Sequence, residues 1–469
     1  MESSPRIFLS AGEASGDAYG AALITALRKR LPQAAFSGLG GRQMEQAGQQ
    51  RVVHAEDVAV MGLTEILRHV PSVYAKYRKL VSSIRSRRPD VAVLIDFPDV
   101  NFRLAKHLRR AGVRVVWFVS PQLWAWKRGR LRWVQQRVDK MLVIFPFEET
   151  FYRNRGVDAE FVGHPLAEAL AAPLPVAQEA TQPATQAHES GLPVVSPQNS
   201  RLAYAAQHHL DSAKTWIALL PGSRWKEIHA NLPTLHELAM SDLISGAAAH
   251  TTFNGNTTLQ PSNPAEFTHY EFLLPVASTI ESSALQRYIE ELNAEHLKYF
   301  GPEASTLRLT LVPDAAEALF HARASVVASG TATVLAALVG NPFVMVYRVS
   351  ALTFALAKRL VQYPEELQAR RDLNGNLPVS MVNLIAQHRL VPELLQDRFT
   401  AANVATALGP LLKDGPERER QIRGLQEVRQ RLVLANDAES AQHRSPIERV
   451  ADAVARLLLA SPDLVQPHQ

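Results

Sequence analysis

Cysteine is absent from all 469 residues, which excludes disulfides, thiolate metal sites and cysteine nucleophiles. Its absence suits a reducing compartment, and a cytoplasmic location is expected. No apolar run approaches the ~18 residues of a membrane span, so any membrane contact should be with a surface. The N-terminus, Met1-Glu2-Ser3-Ser4-Pro5-Arg6, leads straight into an apolar strand; no secretory signal is expected. No G-x-G-x-x-G follows that strand, which argues against a nicotinamide dinucleotide, and no cofactor is expected. Histidines such as His164 and His321 lack metal-ligand spacing and read as local hydrogen-bonding residues; no metal is expected. Aromatic residues make up 7% of the chain. Their one basic concentration, Trp124-Ala125-Trp126-Lys127-Arg128 with Arg130, Arg132 and Trp133, stands without a recognition motif, so nucleic acid is not an expected partner.

What is present is an ordinary globular composition, 46% hydrophobic and 20% charged, in a chain long enough for two or three domains. The net charge of +5 is uneven. Residues 1–170 hold 26 Lys+Arg against 16 Asp+Glu, and the remainder holds 24 against 29. A basic half facing an anionic ligand or membrane would produce this imbalance; so would an uneven solvated surface.

Short apolar strands alternate with amphipathic helices. In the first half Arg6–Ala11, Val91–Ile95, Val113–Val119 and Lys140–Phe145 read as strands, with helices at Tyr19–Arg30 and around Asn101–Ala111. A second series runs through Trp216–Leu220, Phe272–Val276, Leu307–Val312, Ala324–Ala328 and Phe343–Tyr347. Continuously apolar strands separated by helices indicate parallel sheets covered on both faces. The expected fold is α/β, with two Rossmann-like doubly wound domains and a cleft between them. The expected boundaries are 1–171, a low-complexity linker or insertion at 172–212, a second domain at 213–410 with an insertion near 241–269, and a helical tail at 411–469.

Ligands bind such sheets at the carboxyl ends of the strands. After the first strand comes Ser10-Ala11-Gly12-Glu13-Ala14-Ser15-Gly16-Asp17, a turn into a helix start that could receive an anion or serve as structure only. After Val91–Ile95 comes Asp96-Phe97-Pro98-Asp99-Val100-Asn101, with two carboxylates three residues apart. One can cap the following helix while the other works as a general base. In the second half, Pro221-Gly222-Ser223-Arg224 sets a fixed cation beside a turn, and Ser329-Gly330-Thr331 opens a helix with two hydroxyls. Together these two loops suit a diphosphate.

From Ile66 to Ile84, the residues Ile66, Val70, Val73, Tyr77, Leu80 and Ile84 recur at helical spacing, among Arg68, Lys76, Arg78, Lys79 and Arg85. This pattern suits a helix lying on a membrane and equally one packed on a sheet. On the first reading Ile66, Val70, Val73, Tyr77, Lys76 and Lys79 face the bilayer.

With these residues in hand, the chain resembles the lipid A disaccharide synthase family. The matching stretches are AGEASGD at 11–17, MGLTEIL at 61–67, IDFPDVNF at 95–102 and SPQLWAW at 120–126. FPFEETFY at 145–152, VGHPLA at 162–167, LLPGSRWKEI at 219–228, ASGTAT at 328–333 and VSMVNLIA at 379–386 extend the match. The resemblance implies a GT-B glycosyltransferase that moves 2,3-diacylglucosamine from its UDP derivative to 2,3-diacylglucosamine 1-phosphate. The products are a β-1,6-linked disaccharide 1-phosphate and UDP, made at the cytoplasmic face of the inner membrane. It implies Asp99 as base, Arg224 on the departing diphosphate, and Glu13, Ser15, Asp17, Ser223, Glu227, Ser329, Gly330, Thr331 and Asn383 as substrate contacts. Leu335 stands where the family usually has a ribose-binding Glu, and Met381-Val382 where it has Leu-Pro. A peptidoglycan-type transferase, a sugar-nucleotide epimerase or a non-catalytic descendant are the alternatives, and a homodimer is left open.

Overall fold

A computed structural model describes residues 4–59, 66–170, 201–240, 250–253, 256–259, 269–301, 309–433 and 444–459. The expected linker up to residue 200 lies outside them. In the first half, β1 (Arg6–Ala11), β2 (Ala35–Gly40), β3 (Gln50–His54), β4 (Val91–Ile95), β5 (Arg114–Phe118), β6 (Lys140–Val143) and β7 (Ala159–Phe161) build one sheet. Every neighbouring pair is parallel, in the order β3-β2-β1-β4-β5-β6-β7. In the second half, β8 (Thr215–Leu220), β11 (Tyr270–Pro275), β12 (Leu309–Val312), β13 (Ala324–Ala328), β14 (Phe343–Tyr347) and β15 (Glu393–Leu395) form a parallel sheet ordered β12-β11-β8-β13-β14-β15. The segment expected as an inserted loop contains an antiparallel hairpin, β9 (His250–Phe253) with β10 (Asn256–Leu259).

The two sheets share one winding pattern. Each starts at a central strand, runs outward, then crosses back to the other side of it. The reversal falls between β1 and β4 in one and between β8 and β13 in the other, and a crevice opens at the carboxyl ends there. These are two Rossmann-like domains.

Burial on both sheet faces explains why β4, Val-Ala-Val-Leu-Ile, is apolar at every position. Val91, Val93 and Ile95 pack with Leu23 and Leu27 of helix Ala14–Arg30, while Ala92 and Leu94 meet Leu80, Ile84 and Phe102 on the other side. The helix Ile66–Ser86 therefore uses the lower part of its apolar stripe as core. Tyr77 is part-buried against that core and meets His107 edge-on. Lys76 pairs with Asp57 and Lys79 is exposed. The side chains of Ile66, Val70 and Val73 lie outside the described ones.

Two boundaries differ from expectation. The helix Arg201–His208 belongs to the second domain, because Tyr204 is buried against Trp216 and His321. The tail divides: Pro416–Leu432 packs on the second domain, whereas Pro446–Leu459 returns to the first. There Ile447, Val450, Val454 and Leu458 join the core of helix Ala14–Arg30, and Asp452 pairs with Arg30 at 2.7 Å.

Candidate functional site

Four strand ends supply the site. After β1, Gly12 has no Cβ, and one built there would stand 2.4 Å from the Phe97 ring. Only glycine lets the β1 and β4 turns lie against each other. Glu13 is the N-cap residue of helix Ala14–Arg30, yet its side chain makes no capping bond. Its carboxylate instead reaches the second domain and pairs with Arg224 at 3.2 Å. Both side chains are about half exposed, at 43% and 64%, so the pair adds little stability and remains open to a ligand.

Asp96 and Phe97, after β4, have φ of 44° and 48°, successive left-handed residues that are sterically costly for anything but glycine. Pro98 then starts the helix Pro98–Arg110. Buried Asn101 holds this turn, donating to the Asp96 carbonyl at 2.7 Å and accepting from the Ser10 hydroxyl at 2.6 Å. Burial pushes the Asp96 carboxyl up to about 6, and the nearby Glu13 charge pushes the same way; the Phe97 amide and Arg224 oppose it. Asp96, Glu13 and Arg224 thus act on one another across the two domains. Asp99, the expected base, lies in the first turn of the helix, is 72% exposed, and pairs with Arg130 at 2.9 Å.

Across the crevice, Arg224 follows a turn shaped by Glu227, which accepts the Ser223 amide at 2.9 Å. Glu227 also stands 3.9 Å from the Arg224 guanidinium. Gly222 has φ of 132° there, and a Cβ would meet Glu227 at 2.5 Å. Thr279 donates to the Ser223 carbonyl, and Asn231 to that of Pro221 at 2.7 Å. After β13, Gly330 has φ of 148° and opens the helix Thr331–Val339 without a side-chain cap, leaving its first amides free for an anion. Gly330 and Thr331 are exposed, Ser329 is part-buried, and Ser15 is exposed in the first turn of Ala14–Arg30. Leu335 packs on the core.

Two residues expected as substrate contacts are engaged by bonds within the fold. Asp17 is buried, and its carboxylate accepts the amides of Gly41, Gln43 and Met44 at 2.8–3.1 Å, capping a helix twenty-odd residues away. Three of its four acceptor sites are used in this way. Asp17→Ala leaves three amides without an acceptor and should cost about 3 kcal/mol, read as a lowered midpoint in denaturant titration. Asn383 is likewise buried, donating to the Val391 carbonyl and Glu393 while accepting from the amides of Leu390 and Val391. Asn383 has no donor or acceptor left for a substrate.

One residue carried more than its motif revealed. Glu148 is fully buried and accepts from Ser120 at 2.6 Å and from the Trp124 indole at 3.0 Å, bracing the 120–126 loop. Burial lifts its carboxyl to about 7 despite those donors. The folded state therefore holds this proton more tightly than the unfolded chain, and its contribution to stability falls as pH rises from ~4.3 towards 7. Glu148→Gln should flatten that slope when melting temperatures are compared across the interval.

The architecture resembles that of solved two-domain proteins. A kitacinnamycin glycosyltransferase superposes with a TM-score of 0.53 at 12% identity, covering 97% of this chain and 99% of its own. S. aureus MnaA, solved with UDP, superposes with a TM-score of 0.53 at 11% identity, covering 99% of both. At such identities the likeness speaks for the fold, which is GT-B. The family model described as lipid-A-disaccharide synthetase matches residues 7–194 and 268–445. The lipid-A-disaccharide synthase of Acidobacterium capsulatum is 48% identical over 464 residues, covering 96% of this chain and all of its own. That of Koribacter versatilis is 42% identical, covering 94% and 96%. The protein is a glycosyltransferase of the GT-B class. Within it, the chain belongs to the lipid-A-disaccharide synthase family and serves lipid A biosynthesis.

Proposed function

We propose that the crevice joins UDP-2,3-diacylglucosamine to 2,3-diacylglucosamine 1-phosphate by one-step inversion, at the cytoplasmic face of the inner membrane. The observation that carries this reading is the Glu13–Arg224 pair, which sets a cation from one domain against the carboxylates of the other. Diphosphate oxygens would replace Glu13 on the guanidinium and take the open amides at Thr331, with Ser223, Ser329 and Gly330 around them. These groups can hold the negative charge that develops on departing UDP, and the reading assigns no divalent metal to that task.

The acceptor 6-hydroxyl gives its proton to a carboxylate of the β4 turn as its oxygen bonds to the anomeric carbon. The bond from that carbon to the β-phosphate oxygen breaks, and its electron pair leaves with UDP. Asp96 suits the base role better than Asp99. It is part-buried beside Arg224 with a carboxyl raised to about 6, near the pH at which the free carboxylate is abundant and still basic. Asp99 is then a helix-end charge held by Arg130. The reading is tested by incubating the protein with both substrates and weighing the lipid product. A disaccharide 1-phosphate with stoichiometric UDP supports it; intact substrates, or an epimerised donor, would overturn it.

A further inference from the structure

The geometry points to a membrane-docking surface on the second domain, built from the helix Ala351–Leu360 and the turn at Leu373, whose occupant is an anionic bilayer. Among the described residues no helix is long and apolar enough to cross a membrane, so the contact is peripheral. The helix follows β14 directly and so begins on the crevice side of its sheet. None of its residues is buried. At about 100° per residue, Phe354 and Ala357 fall on the face turned to the protein, and Leu352, Leu356 and Leu360 form a stripe on the opposite side. Those three leucines are 81%, 55% and 58% exposed.

The turn beside the helix repeats the pattern. Lys358 donates to the Asn374 carbonyl at 2.9 Å, tying the turn to the helix. Asp372 accepts the amides of Asn374 and Asn376, which fixes the turn's shape. Leu373 stands at its tip, fully exposed. An ordered turn tied to the helix thus presents a further leucine to solvent.

Charge selects the occupant. Lys358 and Arg359 on the helix and Arg370 and Arg371 just before the turn are exposed. Of the three acidic residues in the same stretch, Glu366 is engaged by Asn154 and Arg155 and Asp372 by its own turn, which leaves the exposed Glu365 against four cations. An apolar stripe edged by cations is the pattern of an interfacial helix on anionic lipid. The surface continues into the first domain. The Gln362 amide donates to the Ala125 carbonyl at 3.2 Å, and Arg128 donates to the Gln362 carbonyl. Next to Ala125, Trp126 is 46% exposed with the Lys127 ammonium 4.1 Å from its ring, an amphipathic group of the kind that sits at headgroup depth.

Co-sedimentation of the full chain with vesicles of phosphatidylcholine and phosphatidylglycerol tests the surface. The variant Leu352→Ser/Leu356→Ser/Leu360→Ser should lose about ten-fold or more in partitioning, as expected when three leucines no longer enter lipid. Leu373→Gln, a milder change outside the helix, should lose a few-fold. Arg359→Gln/Arg370→Gln should weaken binding to the anionic vesicles and leave binding to phosphatidylcholine alone unchanged. Circular dichroism and melting must match the parent protein. Turnover on detergent-dispersed substrates should persist in every variant, so this surface and the catalytic reading fail separately. Unchanged sedimentation of the folded triple variant and of Leu373→Gln would overturn the proposal. So would a variant that converts a dimer to a monomer by light scattering while vesicle binding stays constant.

Discussion

Replacing Asp96 by Asn should lower turnover by about 10²–10⁴-fold, the usual span of a general base, while UDP affinity changes little. Asn keeps the size and the backbone-compatible shape but cannot accept the acceptor's proton. The parent enzyme's kcat/KM should decline below pH about 6, because protonated Asp96 cannot serve as base. That acid limb should vanish from the residual activity of Asp96→Asn. Asp99→Asn should cost far less, since its carboxylate is exposed and its partner Arg130 can turn to solvent. Rate constants measured side by side, with folding checked by circular dichroism, decide between the two. If Asp99→Asn loses the larger factor, the acceptor oxygen sits over the exposed carboxylate and Asp96 serves the turn instead.

Arg224→Ala should weaken UDP binding by about 10–100-fold, the loss expected for one or two charge-assisted hydrogen bonds to a diphosphate. Calorimetry in the presence of chelator reads it directly. Arg224→Lys should recover only part, because an ammonium replaces the guanidinium fork by a point charge. The same substitution removes a positive charge near Asp96, so the acid limb should move to higher pH in Arg224→Ala. A nucleotide that binds the alanine variant as it binds the parent would place the diphosphate elsewhere. A strict magnesium requirement would show that Arg224 and the helix start are insufficient by themselves.

The sheets were legible wherever composition alone determines a strand. Arg6–Ala11, Val91–Ile95, Ala324–Ala328 and Phe343–Tyr347 run between the expected residues because each is buried on both faces. Ala35–Gly40, with two glycines, and the short edge strands Gln50–His54, Ala159–Phe161 and Glu393–Leu395 carry no such signal; pairing with a neighbour makes them strands. The site loops were legible for the same reason, since they follow from strand ends. Roles within a loop were not. Spacing could not tell which of Asp96 and Asp99 is drawn inward, because two left-handed residues and the Asn101 brace fix the shape of that turn. Asp17 and Asn383 sit in motifs but act as caps and braces, through amides that the local sequence does not reveal. The pairing of Glu13 with Arg224 spans over two hundred residues and is a property of the fold.

The returning helix Pro446–Leu459 has a bearing on biosynthesis. During synthesis the ribosome releases Ile7, Leu23 and Leu27 more than four hundred residues before Val450 and Leu458, with which they share a core. The first domain therefore leaves the exit tunnel with an apolar face of helix Ala14–Arg30 uncovered, and it stays uncovered until residues 446–459 have emerged. A nascent chain stalled after residue 440 should recruit chaperones through its beginning, not its end. A separately supplied peptide of residues 444–459 should bind that stalled chain and quiet it.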